Sequence, residues 1–117
     1  MKKIKLMRDY NTSPLWIAGG EWMGRVGPID LEELPLSDTL KNKLKIWQKW
    51  KDDYYRIMEI IPGGGWSYHT KEEFESARKQ LGIPQFPGDT EDETEGKRLL
   101  LELRKELPAD EYEIILE

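Results

Sequence analysis

The stretch SDTLKNKLKIWQKWKDDYYRIMEII, residues 37–61, decides the fold. Leu40, Leu44, Trp47, Tyr54, Met58 and Ile61 recur at helical spacings of three, four or seven. At about 100° per residue, Ile46, Trp50 and Ile57 fall along one flank of that stripe. The apolar arc therefore spans roughly half the cylinder, wider than a helix with one neighbour requires. Lys41, Lys45, Lys49 and Arg56 lie opposite, in water. Lys43 and Lys51 intrude at the edge of the arc, where their stems can snorkel. A helix of about 23 residues runs some 35 Å, the width of a small domain. Ser37 caps it, with Asp38 on its positive end, and Pro62 stops it by turning Ile61 away from the helical region.

Upstream of this helix, KIKLMR at residues 3–8 alternates charged and apolar side chains, the period of a strand with one buried face. Asp9, Asn11, Ser13 and Pro14 end it with turn chemistry. Leu15 to Ala18 reads as a second strand closed by Gly19-Gly20. For residues 21–26 two readings stand: a returning hairpin weakened by Gly24 and Gly27, or an ordered loop pinned by its tryptophans. Asp30 followed by Glu33 forms a capping box for one short turn, stopped by Pro35.

Downstream, Gly63-Gly64-Gly65 let the chain reverse. Thr70 and Glu73 make the clearest capping box, opening a helix over 71–81 that Gly82 ends and Pro84 confirms. The acidic run DTEDETE, residues 89–95, leads into a helix over about 92–107. Leu99, Leu100, Leu103 and Leu107 form its buried face, and Leu101 does not fit. YEIIL at 112–116 reads as a final strand. The expectation is a single α/β (α+β) domain over 1–117, a small sheet of N- and C-terminal strands packed against about three helices. Pairing of the terminal strands side by side would tether the chain ends.

Composition narrows the function. The chain has 117 residues, a net charge of −5 and no cysteine, so it forms neither a disulfide framework nor a thiolate metal site. The start MKKIKLMRDY lacks a cleavable apolar segment, and no run reaches the length of a membrane span, so a cytoplasmic protein with no membrane partner is expected. Charge is uneven. Residues 1–60 carry eleven Lys/Arg against nine Asp/Glu, and residues 61–117 seven against fourteen. An acidic half disfavours nucleic acid and suits a basic partner. The cations of the long helix carry no interleaved aromatics and include Asp52 among them, which is a solvated face and no nucleic-acid site.

No motif carries catalysis. The triglycine follows a helix instead of opening one, the wrong order for a phosphate loop. His69 is the only histidine, so no metal or cofactor site is built around it, and beside Thr70 it reads as a helix-entry residue. In the acidic run Gly96 arrives too late for a calcium loop. That run instead favours a helix N-terminus, with some mutual repulsion, or offers a docking surface. Trp16, Trp22 and Trp66 sit in glycine-rich loops as core plugs or partner anchors.

DYNTSPLW at residues 9–16 and LPLS at 34–37 resemble a group of small bacterial proteins. That group shares the order of a short strand, D-Y-x-x-S/R-P-L-W, a turn, L-P-L before a long Trp-containing helix, and a closing helix and strand. No catalytic residues carry over from it. Small acidic proteins of this kind are often immunity partners of secreted bacterial toxins, so the resemblance implies a non-catalytic inhibitor of a basic toxin domain. Its partner-binding residues are expected to be Asp89, Glu91, Asp92, Glu93 and Glu95, with Trp16, Trp22, Trp66 and Tyr68. A second reading is an enzyme or small-ligand protein with a pocket between sheet and helices, around Asp9, Tyr10, Trp16 and His69. A third is a structural or regulatory adaptor.

Overall fold

The computed structural model describes residues 1–63, 69–86 and 89–117, and of Asp89 the backbone alone. Three strands and three helices follow one another as β1 (Lys2–Leu6), β2 (Leu15–Gly20), α1 (Asp38–Ile60), α2 (Lys71–Gln80), α3 (Asp89–Glu106) and β3 (Tyr112–Leu116), with a 3-10 turn over Leu31–Glu33. The sheet order is β2-β1-β3, with β2 antiparallel and β3 parallel to the central strand. The fold is α+β, as the residue pattern predicts, and the N- and C-terminal strands pair in register from Lys2–Tyr112 to Leu6–Leu116.

Alternation places the sheet. Ile4 and Leu6 face inward with Leu15 and Ile114, all buried, and Lys3 and Lys5 face outward. The outward row is neutralised across the sheet by Lys3–Glu113 and Lys5–Glu117 ion pairs at 3.7 and 3.4 Å. Leu99, Leu103 and Leu107 of α3 and Leu40, Leu44 and Trp47 of α1 close over the inner face. Each fully buried aliphatic side chain contributes about 1.5–3 kcal/mol, so this cluster dominates stability. The Leu34-Pro35-Leu36 stretch is explained here: both leucines are buried around an exposed proline, which fixes how the chain enters α1.

Both sheet edges are blunted. The Ile17 N–H donates to the Gly27 carbonyl at 2.9 Å and the Ile29 N–H to the Leu15 carbonyl at 2.7 Å, covering β2. On the other side the Arg104 guanidinium donates to the Ile114 carbonyl at 2.8 Å. Such devices prevent unwanted strand addition.

Several boundaries differ from expectation. β1 ends at Leu6 instead of residue 8: the Met7 N–H still meets the Pro14 carbonyl, but Pro14 has no N–H to donate in return, and Arg8 leaves the sheet for the helices. β2 extends through Gly19 and Gly20, and a bulge between Lys3 and Ile4 accommodates them. Of the two readings for residues 21–26 the ordered loop is correct. The Trp22 indole N–H donates to the Lys3 carbonyl at 3.2 Å, and the ring is buried. α3 begins at Asp89, not 92, so the acidic run is helix from its first residue.

Gly20 sits at φ 86°, and a Cβ there would lie 2.1 Å from the Met1 carbonyl oxygen. Gly20→Ala is expected to cost about 1–3 kcal/mol from left-handed strain and the forced shift of the first residues of β1. Chemical denaturation checks this, and an unchanged midpoint would mean that β1 begins later than Lys2.

The long helix shows the largest departure. In its first half the buried side chains are Leu40, Leu44, Trp47 and Gln48; in its second half they are Asp53, Ile57 and Met58. The buried arc thus turns by about 110° around the helix, on 100° per residue. The reason is a change of neighbours. The first half meets the sheet and α3, and the second half forms a separate cluster with α2, built from Ile57, Met58, Ile61, Ala77 and Ile83. Ile46, placed on the apolar flank by periodicity, is therefore 53% exposed. Tyr54 is half-buried against the α2 cluster. Lys41, expected in water, is shielded and pairs with Glu32 at 3.1 Å.

Candidate functional site

The nine expected contact residues are not brought to one place. Trp66 and Tyr68 lie outside the described residues, as does the side chain of Asp89. Trp22 hydrogen-bonds near the Lys2 end of β1, while Arg8, just past the Leu6 end, reaches the first turn of α3. The two ends are about 16 Å apart at the usual strand rise. Trp22 is a core plug, with Lys2 Nζ 5.0 Å and the Arg25 guanidinium 6.0 Å from its ring centre. Trp16 pairs across from Lys5 on the outer face, half-buried, at the same end as the acidic run.

Within that run the carboxylates divide by role. Arg8 clamps Asp92 with two nitrogens, at 2.8 and 2.5 Å, and stacks on the Trp47 ring at 4.0 Å. Its Nη1 also donates to the Trp47 carbonyl at 3.2 Å. Asp92 is thus part of the scaffold that joins the end of β1 to α1 and α3. Glu95 pairs with Arg98 at 3.0 Å. Glu93 is 71% exposed and only loosely approached by Lys97 at 3.9 Å. Glu91 is exposed and makes no ion pair among the described residues. Among the described side chains of the acidic run, the outward carboxylates are therefore Glu91 and Glu93.

Residues 8–14 carry most of the D-Y-x-x-S-P-L-W stretch and are latched onto α1. The Asn11 N–H donates to Asp52 Oδ1 at 2.7 Å. The Gln48 amide donates to the Asp9 carbonyl at 2.6 Å and to Asp52 Oδ1 at 2.9 Å. Tyr10 stays exposed and leans on Tyr55, ring centres 5.5 Å apart. Beside this loop a groove of about 520 Å³ is lined by Thr12–Pro14, Pro28, Asp30–Glu32, Lys45 and Gln48.

The second reading places a pocket around Asp9, Tyr10, Trp16 and His69, beside residues 64–68, which lie outside the described residues. Neither the groove nor a second hollow, between Met1, Arg104 and Tyr112, is lined by any of the four. His69 precedes the Thr70 cap and stacks on Phe74 at 5.8 Å, in the α2 cluster. Among the described residues no three His, Asp or Glu side chains are grouped to hold a metal ion. Three of the four cations expected in water on α1 are engaged within the chain: Lys49 and Arg56 both meet the buried Asp53, at 2.5 and 3.4 Å, and Lys41 meets Glu32, while Lys45 is exposed and pairs with no carboxylate among the described residues.

At the opposite end, the loop after β2 presents Met23 and Val26, both almost wholly exposed, with Met23 at φ 55°. Sequence reasoning passed over them because isolated apolar residues between glycines carry no periodic signal. Arg25 donates to Glu33 at 3.0 Å, and this bond holds the Glu33 carboxyl below its usual range against the desolvation that raises it. The stability it supplies is present above the unfolded-state value and is lost as pH falls through the folded one.

These features describe a small α+β protein with a charged surface and a groove at one end of its sheet, and no helix among the described residues is long and apolar enough to cross a membrane. A model of Serratia CdiI immunity protein-like proteins matches residues 2–116, and the chain belongs to that family. A comparison with curated proteins found no match. The resemblance drawn from DYNTSPLW and LPLS, to immunity partners of bacterial toxins, agrees with this membership.

Proposed function

We propose that the protein is a non-catalytic immunity-type inhibitor, acting in the bacterial cytoplasm by covering a basic toxin domain with the end of the molecule formed by residues 8–14 and the first turns of α3. The observation that carries this reading is the family match over residues 2–116. The outward carboxylates Glu91 and Glu93 support it, because like-signed exposed charge speeds encounter with a basic partner and helps fix its register. Among the described residues of the expected set, Trp16 is the aromatic that lies at this end. Asp92 acts indirectly, by tying α3 to Arg8, and Glu95 is engaged by Arg98 within α3 itself. The pairing of Lys41, Lys49 and Arg56 within the chain supports the exclusion of nucleic acid as partner.

A large secreted protein encoded immediately upstream would favour this reading and supply the candidate toxin domain. Glu91→Gln with Glu93→Gln is expected to slow association with its toxin domain by about three- to tenfold at low salt. Stability should move by less than about 0.5 kcal/mol, since neither carboxylate is buried. The wild-type on-rate should fall as salt rises, because the Debye length shrinks to about 8 Å at physiological ionic strength. Stopped-flow association at two salt concentrations checks both. Equal on-rates for the two proteins at low salt would move the recognition surface to the other end, to Met23 and Val26.

A further inference from the structure

The loop after β2 carries two large apolar side chains that the fold does not use. Met23 and Val26 are almost wholly exposed. Beyond its chain neighbours, a Cβ added at Gly24 or Gly27 would meet no atom of the described residues within 4 Å. The tip therefore stands clear of the rest of the described chain. Met23 is held at φ 55° and Gly24 at φ 81°, and the Arg25 N–H donates to the Trp22 carbonyl at 3.1 Å. Left-handed φ at both central positions is the pattern of a type I′ turn, whose preferred pair is Asn-Gly. Methionine has no short polar group to bond the local backbone, so this conformation is unfavourable for it. Neither burial nor turn chemistry accounts for Met23.

The loop is nevertheless braced. Trp22 is buried, with its indole N–H on the Lys3 carbonyl. The Glu21 N–H donates to the Met1 carbonyl at 3.2 Å and the Ile17 N–H to the Gly27 carbonyl at 2.9 Å. Arg25 pairs with Glu33 at 3.0 Å. Ordering of the loop is thus complete before any partner arrives, which lowers the cost of binding.

Size and charge select what covers the tip. Two side chains fall far short of the roughly 800 Å² per partner that a stable interface buries, so the tip alone does not hold two copies together. A net charge of −5 opposes an anionic lipid surface. A protein engaged at the acidic end as well supplies the missing area. The Lys2 and Leu6 ends of the sheet are about 16 Å apart, within the breadth of about 30 Å that an interface of standard size covers.

We propose that residues 22–27 form a second contact on the toxin domain, with Met23 and Val26 seated in an apolar recess of that domain. The inference rests on the immunity reading and deepens it by dividing the work between two ends. The outward carboxylates set the rate of encounter, and the apolar tip sets how long the complex lasts. The unbranched, polarizable side chain of Met23 suits an irregular apolar wall.

The test is the double variant Met23→Asn, Val26→Thr. The first change gives the turn its preferred residue and the second keeps a β-branched shape, so apolar surface is removed while the loop is kept. Its thermal midpoint is expected to equal or exceed that of the wild type. With the purified toxin domain, dissociation is expected to be tenfold or more faster and association to stay within twofold. The Glu91→Gln, Glu93→Gln variant, run beside it, is expected to show the converse. The Met23 methyl resonance of the wild type, followed by NMR, is expected to shift when the toxin domain is added. Unchanged dissociation, or an unshifted methyl resonance in a formed complex, overturns the apolar contact and leaves the immunity reading intact. A lowered thermal midpoint would show that the fold does use these side chains and would overturn the premise. A wild-type chain that binds no toxin domain overturns the immunity reading, and this contact with it.

Discussion

Trp47→Ala is expected to lower the unfolding free energy by about 3–5 kcal/mol, the scale for emptying an aromatic core site. Trp47 is 4% exposed and lies where α1, α3 and the end of β1 converge. Its ring is covered by the Arg8 guanidinium on one side, and Gly96 of α3 approaches so closely that a Cβ there would stand 3.1 Å from the ring. Removing the indole opens a cavity that two helices and a charged clamp all border, so collapse around it is restricted. Denaturant titration of the purified variant measures the loss. A change under about 1 kcal/mol would mean that the ring is not a core element and that α1 is rotated from the position described.

Arg8→Met is expected to cost about 2–4 kcal/mol, the second largest effect. The substitution keeps an apolar stem over Trp47 but deletes three hydrogen bonds, two to Asp92 and one to the Trp47 carbonyl. Arg8 and Asp92 are 15% and 30% exposed at their side chains, so solvent screens the pair only in part. Truncating one partner of a shielded, bidentate pair costs more than the pair is worth, because the remaining charge is stranded. The matched measurement is a cycle with Asp92→Asn and the double variant. A double variant nearly as stable as the Asp92 single would show coupling through this contact, and fully additive losses would show that Arg8 acts only by packing.

Much of the fold was legible because it rests on local signals. The capping boxes at Asp30–Glu33 and Thr70–Glu73 are both present, as is the Ser37 cap of α1. Period-two alternation located β1, the apolar YEIIL stretch located β3, and the exposed Leu101 confirms the stripe of α3. Periodicity failed at Ile46 because it assumes one buried direction for a whole helix, whereas α1 serves two clusters in succession. Ser37 illustrates a second kind of omission: its N–H and hydroxyl both donate to Glu106, at 2.6 and 2.7 Å, a contact across 69 residues that no local pattern announces.

The candidate site was legible only as composition. The acidic run was visible, but its division into the structural Asp92 and the outward Glu91 and Glu93 depends on Arg8, 84 residues from Asp92. Trp22 was read with the other loop tryptophans and proves to be a plug, because the loop folds back on the Lys3 carbonyl. The groove was invisible in sequence since three distant segments build it.

The central claim is that this chain neutralises a toxin by binding it, and titrating the purified toxin domain with the chain while following toxin activity tests that most directly. The account predicts a linear fall in activity to an endpoint at a fixed stoichiometry, with the Glu91→Gln, Glu93→Gln variant reaching the same endpoint more slowly. Toxin activity that persists undiminished at large excess of the chain would contradict it.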